Sequence, residues 1–320
     1  MASRASGCFI STGSATLSST RRRPTTMIRS ERTMTNEATP TNSPINAEPI
    51  CFAHLTDIHI NAPAKGNPLF GIDMTAKLRT AFADLGELKT KPAFVLISGD
   101  LTQDGDLDDY KHLKALLDEE SAKLGVPIYV GLGNHDFRSP FREGYLEEAP
   151  SEANYYYSFV HEGLRFVMLS TQVPGSHDGR VDEEQLKWLS SVLAEPAPQG
   201  TVVVLHHPVN PTPTALMDSH LLLNSGELVE ALRGTDVIAL LSGHIHFHNI
   251  GVVAGIPSFA ATGVAFGLDS TDPSTMRFLD NSGYNLVCVK DGEIAVQPRY
   301  LPGEHRMVFE WDMAKHPAHA

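Results

Sequence analysis

The chain has 320 residues, 42% of them hydrophobic, and a formal net charge of -13. That length supports one large domain or two medium ones with a full core, and no apolar run approaches the ~20 residues needed to span a bilayer as a helix. Residues 1–33 hold six Arg against one Glu, so they carry +5 and the rest of the chain -18; so acidic a body disfavours nucleic acid and anionic membranes as partners.

Residues 1–48 are rich in Ser, Thr and Arg and show no hydrophobic period. They read as a disordered extension, an upstream start or a transit peptide, with the Pro40–Pro49 stretch as a linker. From Cys51 the pattern alternates. Cys51–Thr56 predicts a strand, and Met74, Leu78, Phe82 and Leu85 recur at helical spacing. Phe94–Ser98 predicts a buried strand, Leu107–Leu124 a helix and Ile128–Val130 a strand. Phe166–Leu169 is another strand, followed by a helix over Asp182–Leu193 with Asp182 as N-cap. Val202–Leu205, Val237–Leu241 and Asn285–Val289 complete the predicted strands, with a short helix over Ser225–Arg233. Strand-loop-helix repetition argues for an α/β fold, and the late strands without helices argue for mixed sheets. The three cysteines, Cys8, Cys51 and Cys288, are odd in number and far apart. That spacing argues against a disulfide framework and fits a reducing, cytoplasmic compartment.

Five polar clusters follow predicted strands: Asp57-Ile58-His59, Gly99-Asp100, Gly133-Asn134-His135-Asp136, His206-His207 and Gly243-His244-Ile245-His246. In strand geometry residues i and i+2 share a face, so Asp57 and His59 can reach one ion. Asp100 closes a buried strand, where a carboxylate is costly unless paired or bound to a cation; it could equally be a turn or N-cap residue. Asn134 offers a neutral oxygen, and His135 beside it could donate a proton. The four histidines of the last two clusters could sit on the surface singly. At the ends of buried strands they instead suggest metal ligation, because imidazole suits Zn, Fe, Cu and Ni. Carboxylate, amide and imidazole ligands on loops of one sheet edge describe a two-metal hydrolytic site.

The ordered set DxH, GD, GNHD, H and GHxH resembles the calcineurin-like metallophosphoesterase superfamily, over about Phe52 to His246. The segments Glu147–Pro150, Ser170–Gly175, Gln185–Leu189, His206-His207-Pro208 and Arg233–Val237 further resemble the bacterial class III cyclic nucleotide phosphodiesterases, over about residues 51–270. The resemblance implies two mixed sheets packed as a sandwich and flanked by helices, spanning 49–302, with residues 303–320 as a C-terminal tail. It implies metal 1 on Asp57, His59, Asp100 and His246, and metal 2 on Asp100, Asn134, His206 and His244, with Asp100 bridging. His206 is preferred to His207 because it follows the strand directly, and Asp136 is expected behind the ligands. Asn134, His135 and His177 would meet the substrate, and His135 would protonate the leaving oxygen. The cofactors implied are two divalent or trivalent ions, Fe or Mn, with Zn, Co and Ni as alternatives. The implied reaction is opening of a 3′,5′-cyclic nucleotide, cyclic AMP to 5′-AMP, by a hydroxide shared between the ions. The alternative is a broad phosphoesterase on other small phosphate esters. A homodimer is also implied. The Tyr that purple acid phosphatases carry three residues after the GD aspartate is Gln103 here, and the Arg of the protein phosphatases' GD motif is absent.

Overall fold

The structure is a computed structural model that describes residues 48–66, 69–312 and 315. Strands β1 (Ile50–Leu55), β2 (Val95–Ile97) and β3 (Ile128–Val130) run parallel to one another. Between them stand helices α1 (Met74–Glu87) and α2 (Leu107–Leu124). A short α3 (Arg138–Phe141) follows β3, then β4 (Tyr157–His161), β5 (Leu164–Met168), α4 (Glu183–Val192), β6 (Thr201–Val204), α5 (Ser225–Leu232) and β7 (Val237–Ser242). After β7 every element is a strand: β8 (Asn249–Val253), β9 (Ile256–Ala260), β10 (Gly267–Asp272), β11 (Thr275–Leu279), β12 (Gly283–Lys290), β13 (Glu293–Tyr300) and β14 (Met307–Asp312).

Two large mixed sheets result, with strand orders β13-β12-β1-β2-β3 and β4-β5-β6-β7-β9-β8. Their inner faces share a core of Phe52, Phe94, Leu96, Phe166, Val202, Val204 and Leu241. Leu78, Phe82, Leu113 and Leu117 of α1 and α2 pack with Leu55, Val95 and Ile97 on the outer face of the first sheet. Leu189 and Leu228 of α4 and α5 pack with Val203 and Leu240 on the outer face of the second. The chain therefore forms the helix-sheet-sheet-helix sandwich expected. Central strands such as Thr-Val-Val-Val at 201–204 are buried throughout, as parallel strands covered on both faces must be. Asp182 caps α4 by accepting from the Gln185 amide at 2.8 Å, a contact worth about 1 kcal/mol.

Three expectations change. A third sheet, β10-β11-β14, was not foreseen. Residues 303–320 are not simply a tail, because β14 pairs with β11, Phe309 opposite Phe278. Cys51 and Cys288 form a disulfide, although 237 residues separate them. They lie opposite each other on the antiparallel pair β1 and β12, with Cα atoms 4.1 Å apart. Sequence distance misled because strand pairing brings the two ends of the domain together, and the cysteines no longer argue for a reducing compartment. The extension expected over residues 1–48 lies, but for Glu48, outside the described residues. No helix among the described residues is long and apolar enough to cross a membrane.

Candidate metal centre

Each of the five clusters leaves the C-terminal end of a parallel strand, β1, β2, β3, β6 or β7, where open α/β sheets place their sites. Two groups of side chains converge there. Asp57, His59, Asp100 and His246 each bring a ligand atom within 4.8 Å of the others, and so do Asp100, His206 and His244. Asp100 belongs to both groups.

The approach of Asp57 and His59 is not the strand-face alternation expected. Both lie past the end of β1 with φ of 52° and 46°. The same left-handed conformation holds Asp100 (47°), His244 (69°) and His246 (55°). Such angles are uncommon outside glycine and store strain that the surroundings must offset. Here the offset is a backbone ladder: Asp57 N–H donates to the Gly99 carbonyl, and the Ile58 and His59 amides to that of Asp100, all at 3.0 Å. Glycine is needed where these loops touch. A Cβ on Gly133 would overlap Asp100 and stand 2.8 Å from His206 Nε2.

Backbone carbonyls fix the histidine tautomers. A carbonyl can only accept, so His246 Nδ1–H donates to Phe266 (3.0 Å) and His206 Nδ1–H to Ser98 (3.2 Å). Their Nε2 atoms then face inward, the orientation that metal-ligating histidines adopt. His59 Nε2 stands 3.3 Å from His246 Nε2 and 3.7 Å from Asp100 Oδ2. His206 Nε2 is 3.3 Å from Asp100 Oδ2, and His246 Nε2 is 3.2 Å from Asp57 Oδ1. His244 Nε2 is buried without a hydrogen-bond partner. Buried carboxylates and imidazole nitrogens converging on two points, with His244 Nε2 unpartnered, form a donor set that fits two borderline or hard metal ions.

Burial and charge divide the imidazoles. Desolvation pushes His59 down to about 3 and outweighs the pull of Asp100. Burial also opposes charge on His206, but Asp100 and Asp57 together raise it to about 9. Burial would lift Asp57, yet His246 and His206 bring it down to about 2. His207 is pressed to about 3, first by desolvation and then by His206. It spends both nitrogens locally: Nε2–H donates to the His177 carbonyl (3.1 Å), and Nδ1 lies 2.7 Å from Thr171 Oγ1.

The GNHD loop is placed with equal care. Asn134 Oδ1 lies 3.1 Å from His206 Nε2, while its amide donates to His177 Nδ1 at 2.8 Å, which fixes the direction of the side chain. His135 N–H donates to Asp100 Oδ1 (2.9 Å), and its Nδ1–H to the Gln103 carbonyl (2.9 Å). Asp136 sits behind, accepting from the amides of Leu101 (3.0 Å), Thr102 (3.2 Å) and Gly133 (2.9 Å) and from the Tyr110 hydroxyl (3.0 Å). Burial and the Asp100 charge push Asp136 up to about 6 against these donors. The Arg138 guanidinium is held by neutral acceptors, the Gln172 side chain and the carbonyls of Gln172 and Glu152. A third acidic group, Asp104, Asp106 and Asp109, is held by Lys65 Nζ at 2.6–3.0 Å and forms an ion-pair knot.

All nine residues expected at the site are therefore gathered there, His177 through Asn134. The sequence reading missed the carbonyls of Ser98, Gln103 and Phe266, which carry no side-chain signal. It also missed the aromatic flank from Phe70, Phe266, Phe278 and Phe309, which lines the cavity over the cluster. The alternation of Met276 with Phe278 and of Phe309 with Trp311 was a legible sign of strands with an aromatic face.

The sandwich and its converging Asp/His loops define a metallophosphoesterase: the chain belongs to the calcineurin-like phosphoesterase family, whose model matches residues 51–248. It is 35% identical over 245 residues to a probable cyclic nucleotide phosphodiesterase of Rhodococcus erythropolis, covering 76% of this chain and 81% of the relative. It is also 35% identical over 219 residues, 68% of each chain, to a cAMP/cGMP dual specificity phosphodiesterase of Mycobacterium tuberculosis. A dimetal phosphatase from Danio rerio shares the fold, with a TM-score of 0.52 at 18% identity over 78% of this chain and 99% of that one.

Proposed function

We propose that the chain is a two-metal phosphodiesterase that hydrolyses 3′,5′-cyclic nucleotides, converting cyclic AMP to 5′-AMP. The observation that carries this reading is the position of Asp100, shared by two ligand groups on one strand end. The relatives named as cyclic nucleotide phosphodiesterases support the substrate class. Asp57, His59, Asp100 and His246 would hold one ion, and Asp100, Asn134, His206 and His244 the other; Fe or Mn is the reading for their identity. Bound there, the ions would neutralise the phosphoryl oxygens and bring the pKa of water towards ~7. His177 keeps the Asn134 oxygen turned towards His206. The Gln103 carbonyl orients the His135 ring. With its Nδ1 proton engaged there, His135 can give a proton from Nε2 as the imidazolium. Water loses one proton to the medium as its oxygen bonds to phosphorus, the P–O3′ bond breaks and O3′ takes the proton of His135, which the medium restores, so one water is consumed per 5′-AMP formed.

The test is a substrate panel on the metal-loaded protein: cyclic AMP, cyclic GMP, 2′,3′-cyclic AMP, a chromogenic diester and phosphomonoesters. The reading expects the highest kcat/KM for the 3′,5′-cyclic nucleotides. A preference for other small diesters or for monoesters would replace it with a broad phosphoesterase. The homodimer and the cytoplasmic setting belong to this reading, the latter without support from the disulfide-bonded cysteines, and sedimentation and cell fractionation test them.

A further inference from the structure

A cavity of about 570 Å³ opens over the Asp/His cluster. Gln103, Asn134, His135 and His177 give it a polar part. Another part is a continuous aromatic row that starts at the cluster. Phe266 stacks on His246 with ring centroids 4.1 Å apart and stands 5.4 Å from His59. Phe70 and Phe278 continue the row at 5.4 and 5.7 Å from Phe266. Phe309 extends it, 5.5 Å from Phe70 and 5.7 Å from Phe278. The third sheet builds this surface. Phe278 pairs with Phe309 and Met276 with Trp311 across β11 and β14, so all four share one face, and all four line the cavity.

Exposure rises along the row: Phe266 is 4% exposed, whereas Phe309 at the far end is 40% exposed. The described lining residues include no Lys or Arg, so the row suits a neutral, flat group and not a second phosphate. Apart from Phe70, the row lies outside residues 51–248 that the family model matches.

We propose that this row is the base subsite: it stacks the nucleobase of a cyclic nucleotide whose phosphate lies at the Asp/His cluster. The proposal rests on the cyclic nucleotide reading and deepens it, making Phe309 and Phe278 determinants of specificity for a base-bearing substrate. Because every base has a π-face, the row favours the presence of a base over its identity. Adenine and guanine are therefore expected to be held comparably by these rings.

The test compares cyclic AMP with its abasic analogue, a methyl riboside 3′,5′-cyclic phosphate, on the metal-loaded protein. The wild type is measured beside Phe309→Ala, Phe309→Leu and Phe309→Trp. Phe309→Ala is expected to lower the ratio of the two kcat/KM values roughly tenfold, chiefly through the KM of cyclic AMP, the worth of one stacking face. Phe309→Leu, which keeps an apolar side chain on β14, is expected to lower it as well, and Phe309→Trp to keep it. Calorimetric affinities for 5′-AMP and ribose 5-phosphate give the same ratio without turnover. An unchanged ratio in both Phe309→Ala and Phe309→Leu, with cyclic AMP still hydrolysed, would overturn the subsite and leave the activity standing. A wild type that hydrolyses other diesters but neither cyclic phosphate would overturn the activity, and the subsite with it.

Discussion

Gly133→Ala adds one methyl group at the point where two metal-site loops meet. The new Cβ would overlap both the Asp100 side chain and the Asp100 backbone nitrogen, and would stand 2.8 Å from His206 Nε2. A rotamer change cannot relieve the backbone overlap, and Asp100 is already pinned by the His135 amide at 2.9 Å. The β3–GNHD loop must therefore move away from Asp100. Overpacking of this kind costs about 1–3 kcal/mol, which at roughly 2–4 °C per kcal/mol lowers the melting temperature by several degrees. The functional loss is larger, because displacing a reacting constellation by about 1 Å costs on the order of 100-fold in rate. Gly86→Ala is the matched control. It lies near the end of α1 with nothing within 4 Å of the added Cβ, so it should be neutral or stabilising by up to about 1 kcal/mol. Thermal melting, metal content and cyclic AMP turnover are measured on both variants. Wild-type turnover and metal content in Gly133→Ala would refute the claim that contact between these loops sets the site.

His135→Ala should keep both metals and lose about 10²–10⁴ in turnover of cyclic AMP, with a smaller loss on an aryl diester whose phenolate leaves unaided. His206→Ala should instead lose metal and impair both substrates alike; equal losses and lost metal in His135→Ala would place His135 among the ligands. Tyr110→Phe removes a buried hydroxyl that donates to Asp136 (3.0 Å) and accepts from the Phe137 amide (2.8 Å). It should destabilise the fold by about 1–3 kcal/mol in urea melts, and an unchanged midpoint would show that Asp136 is held without it.

The parts of the fold written in short-range patterns were legible. α2 matches its expected range because Tyr110, Leu113, Leu117 and Leu124 mark one face, and β3 does because three β-formers lie between turns. The Asp/His loops were legible because each follows a buried strand, so position and chemistry coincide. What failed depends on distance. The Cys51–Cys288 pair needs β1 and β12 side by side across 237 residues, which no local pattern records. The third sheet is half-exposed: β11 has no fully buried residue and β14 none either, so the contrast that reveals a strand is weak. The i, i+2 argument for Asp57 and His59 brought the right residues together by the wrong geometry, since left-handed backbone, not a pleat, aims them.

The central claim is that Asp100 joins two ligand groups into one catalytic dinuclear site. Titrating the metal-stripped chain with Mn²⁺ or Fe²⁺ while following 5′-AMP formation from cyclic AMP tests it most directly. The account predicts that activity rises to a plateau at two equivalents per chain. Full activity at one equivalent, or none at two, would contradict it.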